Sequence, residues 1–229
     1  MRIGNLFLPF DAYERNRKVA GLLEPGERVL DVGGGMVGLK RFVDNPVTTV
    51  DIGEADIRVD IRKKLPFKDG SFDVVVNMDV LEHIEAGKRK GVVGELVRVA
   101  RNKVIISVPF GSRAHMVAER RLVSWLRSQG KSVSFLEEHV KYGLPVPEKI
   151  FGELKYPLKV LYSGDFRVSN FLFRLHLWEA GWGPVDRLAY WGRKGVNGLF
   201  NLLVYPFWFY EKPRETTNRF YVVVEKKER

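Results

Sequence analysis

The 229-residue chain contains no cysteine. That removes disulfides, thiolate metal sites, iron–sulfur clusters and any mechanism that needs a cysteine nucleophile. A long apolar run is also missing. The longest, Val196 to Tyr210, falls short of the roughly 20 residues that cross a bilayer and is broken by Asn197, Asn201 and Pro206. Nothing near Met1 reads as a targeting signal, because Asp11, Glu14, Arg15 and Arg17 follow the first apolar patch at once. The expectation is a soluble, cytoplasmic protein. Basic runs stop at three residues, although 38 Lys and Arg against 28 Asp and Glu give a net charge of +10. That excess suits an anionic partner or, spread thinly, solubility alone. Glutamine occurs once, at Gln129. With abundant Lys, Arg and Glu, this composition fits a heat-adapted, thermostable protein.

What is present is ordinary for a globular chain: 45% hydrophobic and 29% charged residues, in a length that suits one elaborated domain. Tyr13 to Leu23 reads as a helix closed by Glu24-Pro25-Gly26. Arg28 to Val32 is an apolar run entering a glycine cluster, hence a buried strand feeding a turn. A short helix is expected over Met36 to Val43. Further strands follow at Val47 to Val50, Ile57 to Asp60, Phe72 to Val76 and Val104 to Val108, with a helix over Lys88 to Ala100. Apolar strands alternating with helices indicate a parallel sheet covered on both faces. After Pro109 the rhythm changes. Residues 111–165 read as an inserted helical lid, with helices over Met116 to Ser128 and Glu148 to Leu154, lying over the carboxyl edge of the sheet where ligands bind. Asn170 to Ala180 reads as a helix, and Val185 to Tyr190 and Arg219 to Val224 as late antiparallel strands. The fold expected is a Rossmann-like α/β domain with a seven-stranded, mostly parallel sheet. It divides into a core at 28–110, the lid at 111–165 and a C-terminal helix and strands at 166–229.

The chemistry begins at Val29-Leu-Asp31-Val-Gly33-Gly34-Gly35-Met-Val-Gly38. Glycines let a ligand approach the backbone, and the spacing of Gly33, Gly35 and Gly38 satisfies the dinucleotide pattern G-x-G-x-x-G. Asp31 argues against a pyrophosphate there, because a carboxylate two residues before the first glycine repels phosphate and attracts an ammonium group. The favoured ligand carries a ribose and an amino acid, as S-adenosylmethionine does. An NAD-dependent oxidoreductase rests on the glycine pattern alone.

Four segments taken in order carry a resemblance. They are Leu30-Asp-Val-Gly-Gly-Gly35, Val50-Asp-Ile52, Asp60 to Asp73 with its Leu65-Pro-Phe-Lys-Asp-Gly-Ser-Phe-Asp73 stretch, and Asn77-Met-Asp-Val-Leu-Glu-His83. Over roughly Arg28 to Pro109 the chain resembles the class I S-adenosylmethionine-dependent methyltransferases of the small-molecule type. The resemblance implies that Gly33 and Gly35 back the methionine portion of the cofactor, with Asp31 under its amino group. It implies that Asp51 holds the ribose hydroxyls and Asp60 the adenine amino group, with Ile52 and Ile61 packed on the ring. Asn77 and Met78 would sit beside the sulfonium. Two departures stand out: Val37 replaces the family's third glycine, and eight residues between Asp51 and Asp60 leave no room for the usual connecting helix.

Methyl transfer needs alignment, and it needs a base only where the acceptor must lose a proton. Of four histidines, His115 and His139 are the candidates for substrate contact. His83 reads as structural or near the cofactor, and His176 as packing. Base-methylating enzymes of nucleic acids show an Asn/Asp-Pro-Pro-aromatic tetrad after strand four; here Asn77-Met78-Asp79-Val80 has neither proline nor aromatic. The reading is methyl transfer to a small molecule, glycan or lipid, at a hydroxyl, with no metal. An RNA methyltransferase is the alternative, and a non-catalytic S-adenosylmethionine-binding scaffold a third reading. Residues 196–210 read as packing on the core or on a second subunit, or as a peripheral membrane contact flanked by Arg193, Lys194, Lys212 and Arg214.

Overall fold

A computed structural model describes residues 2–35, 38–178 and 181–226. The chain opens with helix α1 (Phe10–Ala20), which turns Tyr13 and Val19 inward, and enters β1 (Val29–Val32), every residue of which is buried. Strands β2 (Val47–Asp51), β3 (Ile57–Arg58) and β4 (Phe72–Met78) follow, then helix α2 (Arg89–Val99) and β5 (Ala100–Pro109). Helices α3 (Arg113–Ser128), α4 (Ser134–Tyr142) and α5 (Pro147–Phe151) come next. The chain closes through β6 (Leu158–Asp165), α6 (Phe166–Leu177), α7 (Gly183–Leu203), β7 (Phe209–Tyr210) and β8 (Thr217–Glu225).

The sheet runs in the order β3-β2-β1-β4-β5-β8-β6-β7. From β3 to β5 all pairings are parallel, while β8 pairs antiparallel with β5 and with β6, and β7 antiparallel with β6. Because side chains alternate across each strand, Leu30, Val75 and Ile106 join Val92, Val93 and Leu96 of α2 in one core cluster. Val29, Val74 and Ile105 join Val19 of α1 in another. A third cluster, Leu122, Val123, Leu126 and Leu136, binds α3 to α4 and receives Phe173 and Leu177 of α6.

Several expectations are corrected. The sheet has eight strands and is mixed, not seven-stranded. Residues 158–165, placed in the lid by the sequence, form β6. Its apolar side chains recur at Leu158, Val160 and Tyr162, the period of a strand, and it enters the sheet beside β8. Val185 to Tyr190, expected as a strand, lies in α7: Pro184 supplies a helix-starting residue, and only Val185 in that hexapeptide is β-branched. Residues 134–142, for which no helix is predicted, form α4. Of the helix expected over Met36 to Val43, the structure shows a single tight turn at Leu39–Arg41; Met36 and Val37 lie outside the described residues, as does the end of the expected Asn170 to Ala180 helix at Glu179 and Ala180.

Candidate active site

Two cavities open at the carboxyl ends of the parallel strands. The first, about 310 Å³, is bounded by Gly33, Asp51, Ile52, Asp60, Ile61, Arg62, Val80 and His83. Gly33 takes φ of +82°, and a Cβ there would overlap the Val80 side chain, so only glycine permits this turn against this neighbour. A Cβ on Gly34 would overlap the carboxylate of Asp31, so the glycine loop closes directly over that group.

Asp31 itself is fully buried, and neither of its oxygens has a hydrogen-bond partner of good geometry. Burial pushes its carboxyl up to about 7, against the opposing pull of the Leu39 amide, Arg15 and Lys40. Asp51, at the end of β2, accepts the Gly53 N–H on Oδ1 at 2.7 Å. Asp60 is clasped by Arg62, whose backbone N–H and Nε donate to Oδ1 at 3.0 and 2.8 Å, and whose Nη2 donates to Oδ2 at 3.0 Å. Those hydrogen bonds hold Asp60 below the usual carboxylate range. Ile61 is buried against the core, while Ile52 is exposed at the rim.

Of the nine residues assigned to the cofactor from the sequence, the cavity brings together Gly33, Asp51, Ile52, Asp60 and Ile61. Asp31 lies beneath the loop, and Gly35 does not line the cavity. Asn77 and Met78 do not line it either: Asn77 is buried and donates Nδ2 to the Val32 carbonyl at 2.8 Å, tying the end of β4 to that of β1, and Met78 packs into the core.

The second cavity, about 510 Å³, lies among α1, α3, α4, α6 and β8, and all four histidines line it. It adjoins the first at Asp79 and His83, which border both. Asp79, directly after β4, has φ of +52°, a conformation uncommon for a residue with a side chain and concentrated at functional sites. Its carboxylate is gripped by Arg219 through both oxygens and by Arg15 Nη1 at 2.9 Å. Burial pushes Asp79 up, but the two guanidinium groups overcome it and hold the carboxyl at about 2.

Glu119 of α3 organises the histidines. Its Oε1 lies 2.9 Å from His139 Nδ1 and 4.0 Å from His115 Nε2. His115 is buried, stacked on Phe166 at 4.9 Å and bonded through Nδ1 to the Phe110 carbonyl at 3.0 Å; burial lowers its pKa. With both ring nitrogens so placed, His115 reads as support for Glu119. His139 is buried with Nδ1 on a carboxylate and Nε2 unpartnered. Burial lowers its pKa, but Glu119 outweighs that and raises it above the ordinary histidine value. His83 holds Glu138 through Nδ1 at 2.7 Å, and its ring centre lies 4.9 Å from that of His139. Burial, with His139 alongside, lowers the His83 pKa. Glu82 is buried with Oε2 unpartnered, and burial together with Asp79 pushes it up to about 8. One ligand atom each from Glu82, His83 and His139 falls within 4.8 Å of the others, a donor set able to take a divalent cation. His176, read from the sequence as packing, is half-buried, borders this cavity and bonds Leu172 O and Asn197.

Sequence reading missed Asp79, Arg15, Arg219, Glu119 and Glu82. Only Asp79 and Glu82 carried a signal, since both stand in the segment that follows β4.

The fold and the site define an α/β domain with two adjoining cavities at the carboxyl ends of its parallel strands. Residues 29–108 match the family model described as a methyltransferase domain. A solved S-adenosylmethionine-dependent methyltransferase from Archaeoglobus fulgidus is similar in fold, with a TM-score of 0.54 at 15% identity over 93% of this chain and 91% of that one. A coclaurine N-methyltransferase bound to N-methylheliamine and S-adenosylhomocysteine gives 0.52 at 12% identity over 94% and 70%. Phosphoethanolamine N-methyltransferase 2 of Haemonchus contortus, with phosphomonomethylethanolamine and S-adenosylhomocysteine, gives 0.50 at 18% identity over 92% and 51%. At such identities the likeness is one of fold. No curated protein matches the chain in sequence.

The first cavity fits S-adenosylmethionine on its own chemistry. The Asp31 carboxylate lies without a hydrogen-bond partner beneath a glycine loop that a Cβ would fill, and its charge would attract an ammonium group seated on that loop. Asp51 faces the same cavity, and among the described residues its carboxylate has only the Gly53 N–H bonded to it.

Proposed function

We propose that this chain methylates a hydroxyl of a small molecule, glycan or lipid held in the second cavity, and that His139 takes the hydroxyl proton. The observation that carries the reading is the Glu119–His139 pair in a chamber that meets the cofactor cavity at Asp79 and His83. The cofactor supplies an electrophilic methyl group on a sulfonium. Asp31, Asp51 and Asp60 would hold its ammonium, ribose and adenine groups, fixing the methyl at the junction of the two cavities.

Glu119 accepts the Nδ1 proton of His139, which leaves the lone pair on Nε2, a buried atom without a partner on the wall of the second cavity. The carboxylate also stabilises the imidazolium that forms when Nε2 accepts the proton. Such a positioned base contributes typically ~10²–10⁴-fold, and alignment of acceptor with donor supplies much of the rest. Small molecules bound in the structural relatives, N-methylheliamine in one and phosphomonomethylethanolamine in another, support a small-molecule acceptor, although both of those proteins are N-methyltransferases.

Calorimetric titration with S-adenosylhomocysteine and then NAD tests the cofactor half. Binding of the first alone, lost in Asp51→Ala, is expected; binding of NAD instead overturns it. Release of S-adenosylhomocysteine across a panel of hydroxylated acceptors tests the other half. With an accepted substrate, His139→Ala should lower kcat about 10²–10⁴-fold while leaving S-adenosylhomocysteine affinity intact. An unchanged kcat would remove His139 from the mechanism, and salt-sensitive turnover on RNA alone would replace the acceptor class.

A further inference from the structure

Helix α7 is built inside out. Its protein-facing side buries two asparagines: Asn197 contacts His176 at 3.4 Å, and Asn201 donates to the carbonyls of Leu6 and Leu8 at 2.7 and 3.0 Å. Its other side presents Leu188, Trp191, Leu199, Leu202 and Leu203, all more than half exposed, and Phe207 just beyond the helix is 87% exposed. These positions recur at three- and four-residue intervals with Gly195 bridging the gap, so they form one continuous apolar stripe. An exposed stripe of this extent on a helix stabilised through polar groups marks an interaction surface.

The charges around the stripe identify the occupant. From Gly183 to Arg214 the chain carries five cations (Arg187, Arg193, Lys194, Lys212 and Arg214) against two acids, Asp186 and Glu211. Several are tethered at the level of aromatic rings or helix ends: Lys194 lies over Tyr190, Arg214 over Tyr210, and Arg193 donates to the Trp178 carbonyl. Apolar residues with Trp and Tyr, edged by Lys and Arg, suit the boundary between acyl chains and anionic headgroups. A second copy of the chain would bring two like-charged rims together in a molecule already at +10. No helix of the structure is long and apolar enough to cross a membrane, so α7 would lie in the interfacial plane.

We propose that the outer face of α7 docks the protein on an anionic lipid bilayer. The proposal stands apart from the methyl-transfer reading, because no residue of the exposed stripe lines either cavity. It has a consequence for the second cavity all the same: Phe10, which lines that cavity, packs edge-on against Phe200 of α7 at 5.4 Å. Docking therefore sets the chamber wall directly behind the lipid surface.

Flotation with vesicles tests this, using phosphatidylcholine alone and phosphatidylcholine mixed with phosphatidylglycerol. The full chain should float with the mixed vesicles, with a blue shift of tryptophan emission, and added salt should weaken it. The double variant Leu199→Asp/Leu203→Asp should partition roughly tenfold or more weakly. Circular dichroism and S-adenosylhomocysteine titration of that variant establish that it is folded. Failure of the wild type to float, or equal flotation of the folded variant, overturns the proposal. So does a concentration-dependent dimer that the same substitutions dissociate, since that outcome gives the face to a second copy.

Discussion

Two aspartates, Asp31 buried and Asp79 half-buried, set the site's response to pH and to substitution, and they do so in opposite directions. Asp31 is pushed up to about 7, so below that pH it is neutral and offers an ammonium group little. Cofactor affinity should therefore rise by about tenfold per pH unit below 7 and level off above it, as the carboxylate becomes ionised before binding. Titration calorimetry across that range checks this, and Asp31→Asn should bind weakly with no such slope. Asp79, held at about 2, is ionised at all working pH values. Its stabilising effect is present above the ordinary carboxylate range and lost as the pH falls towards 2. Asp79→Asn strands the buried Arg219 charge and should cost about 3–5 kcal/mol in urea unfolding. A cost below about 1 kcal/mol would mean that water or Glu14 compensates Arg219.

At the scale of elements, the turn after β1 is the most constrained piece of the cofactor cavity. Gly33→Ala would place a methyl group where Val80 already sits, on a backbone with φ of +82°. A loss of about 1–3 kcal/mol is expected, with weaker S-adenosylhomocysteine binding. Val80→Ala in the same chain should recover the steric share and leave the conformational one. This turn was legible in the sequence because everything that defines it is local: an apolar strand, then three glycines, with Asp31 inside the strand. The same holds for Asp51 at the end of β2 and for Asp60 and Ile61 just beyond β3. Legibility fails where partners are distant. Arg219 reaches Asp79 across 140 residues and His139 meets Glu119 across 20, and no pattern in a single sequence marks either meeting. It fails for α7 on different grounds. Val185 to Tyr190 follows a glycine-rich stretch and is too short to show a period, so only the helix-starting Pro184 and its place outside the sheet distinguish helix from strand.

For the whole molecule, the sheet joins a parallel half that carries the cofactor cavity to an antiparallel half that carries β8, β6 and β7. Glu14 ties the halves to α1: it is buried, accepts from the hydroxyls of Ser163 on β6 and Tyr221 on β8, and is pushed up by burial. In the sheet order, β8 lies between β5 and β6, yet it follows every other strand along the chain. This arrangement has a bearing on how the molecule comes into being. The five strands from β3 to β5 can assemble from residues 29–109 alone, while β6 has only the two-residue β7 to pair with, and no link to the rest of the sheet, until residues 217–225 have been made and have found β5. Pulse-labelled hydrogen exchange during refolding should thus protect the amides of β1 and β4 ahead of those of β6 and β8. Simultaneous protection would mean that the halves nucleate together. If the order holds, a nascent chain acquires its first cavity early and waits, with an unpaired edge at β5, for the strand that completes the second.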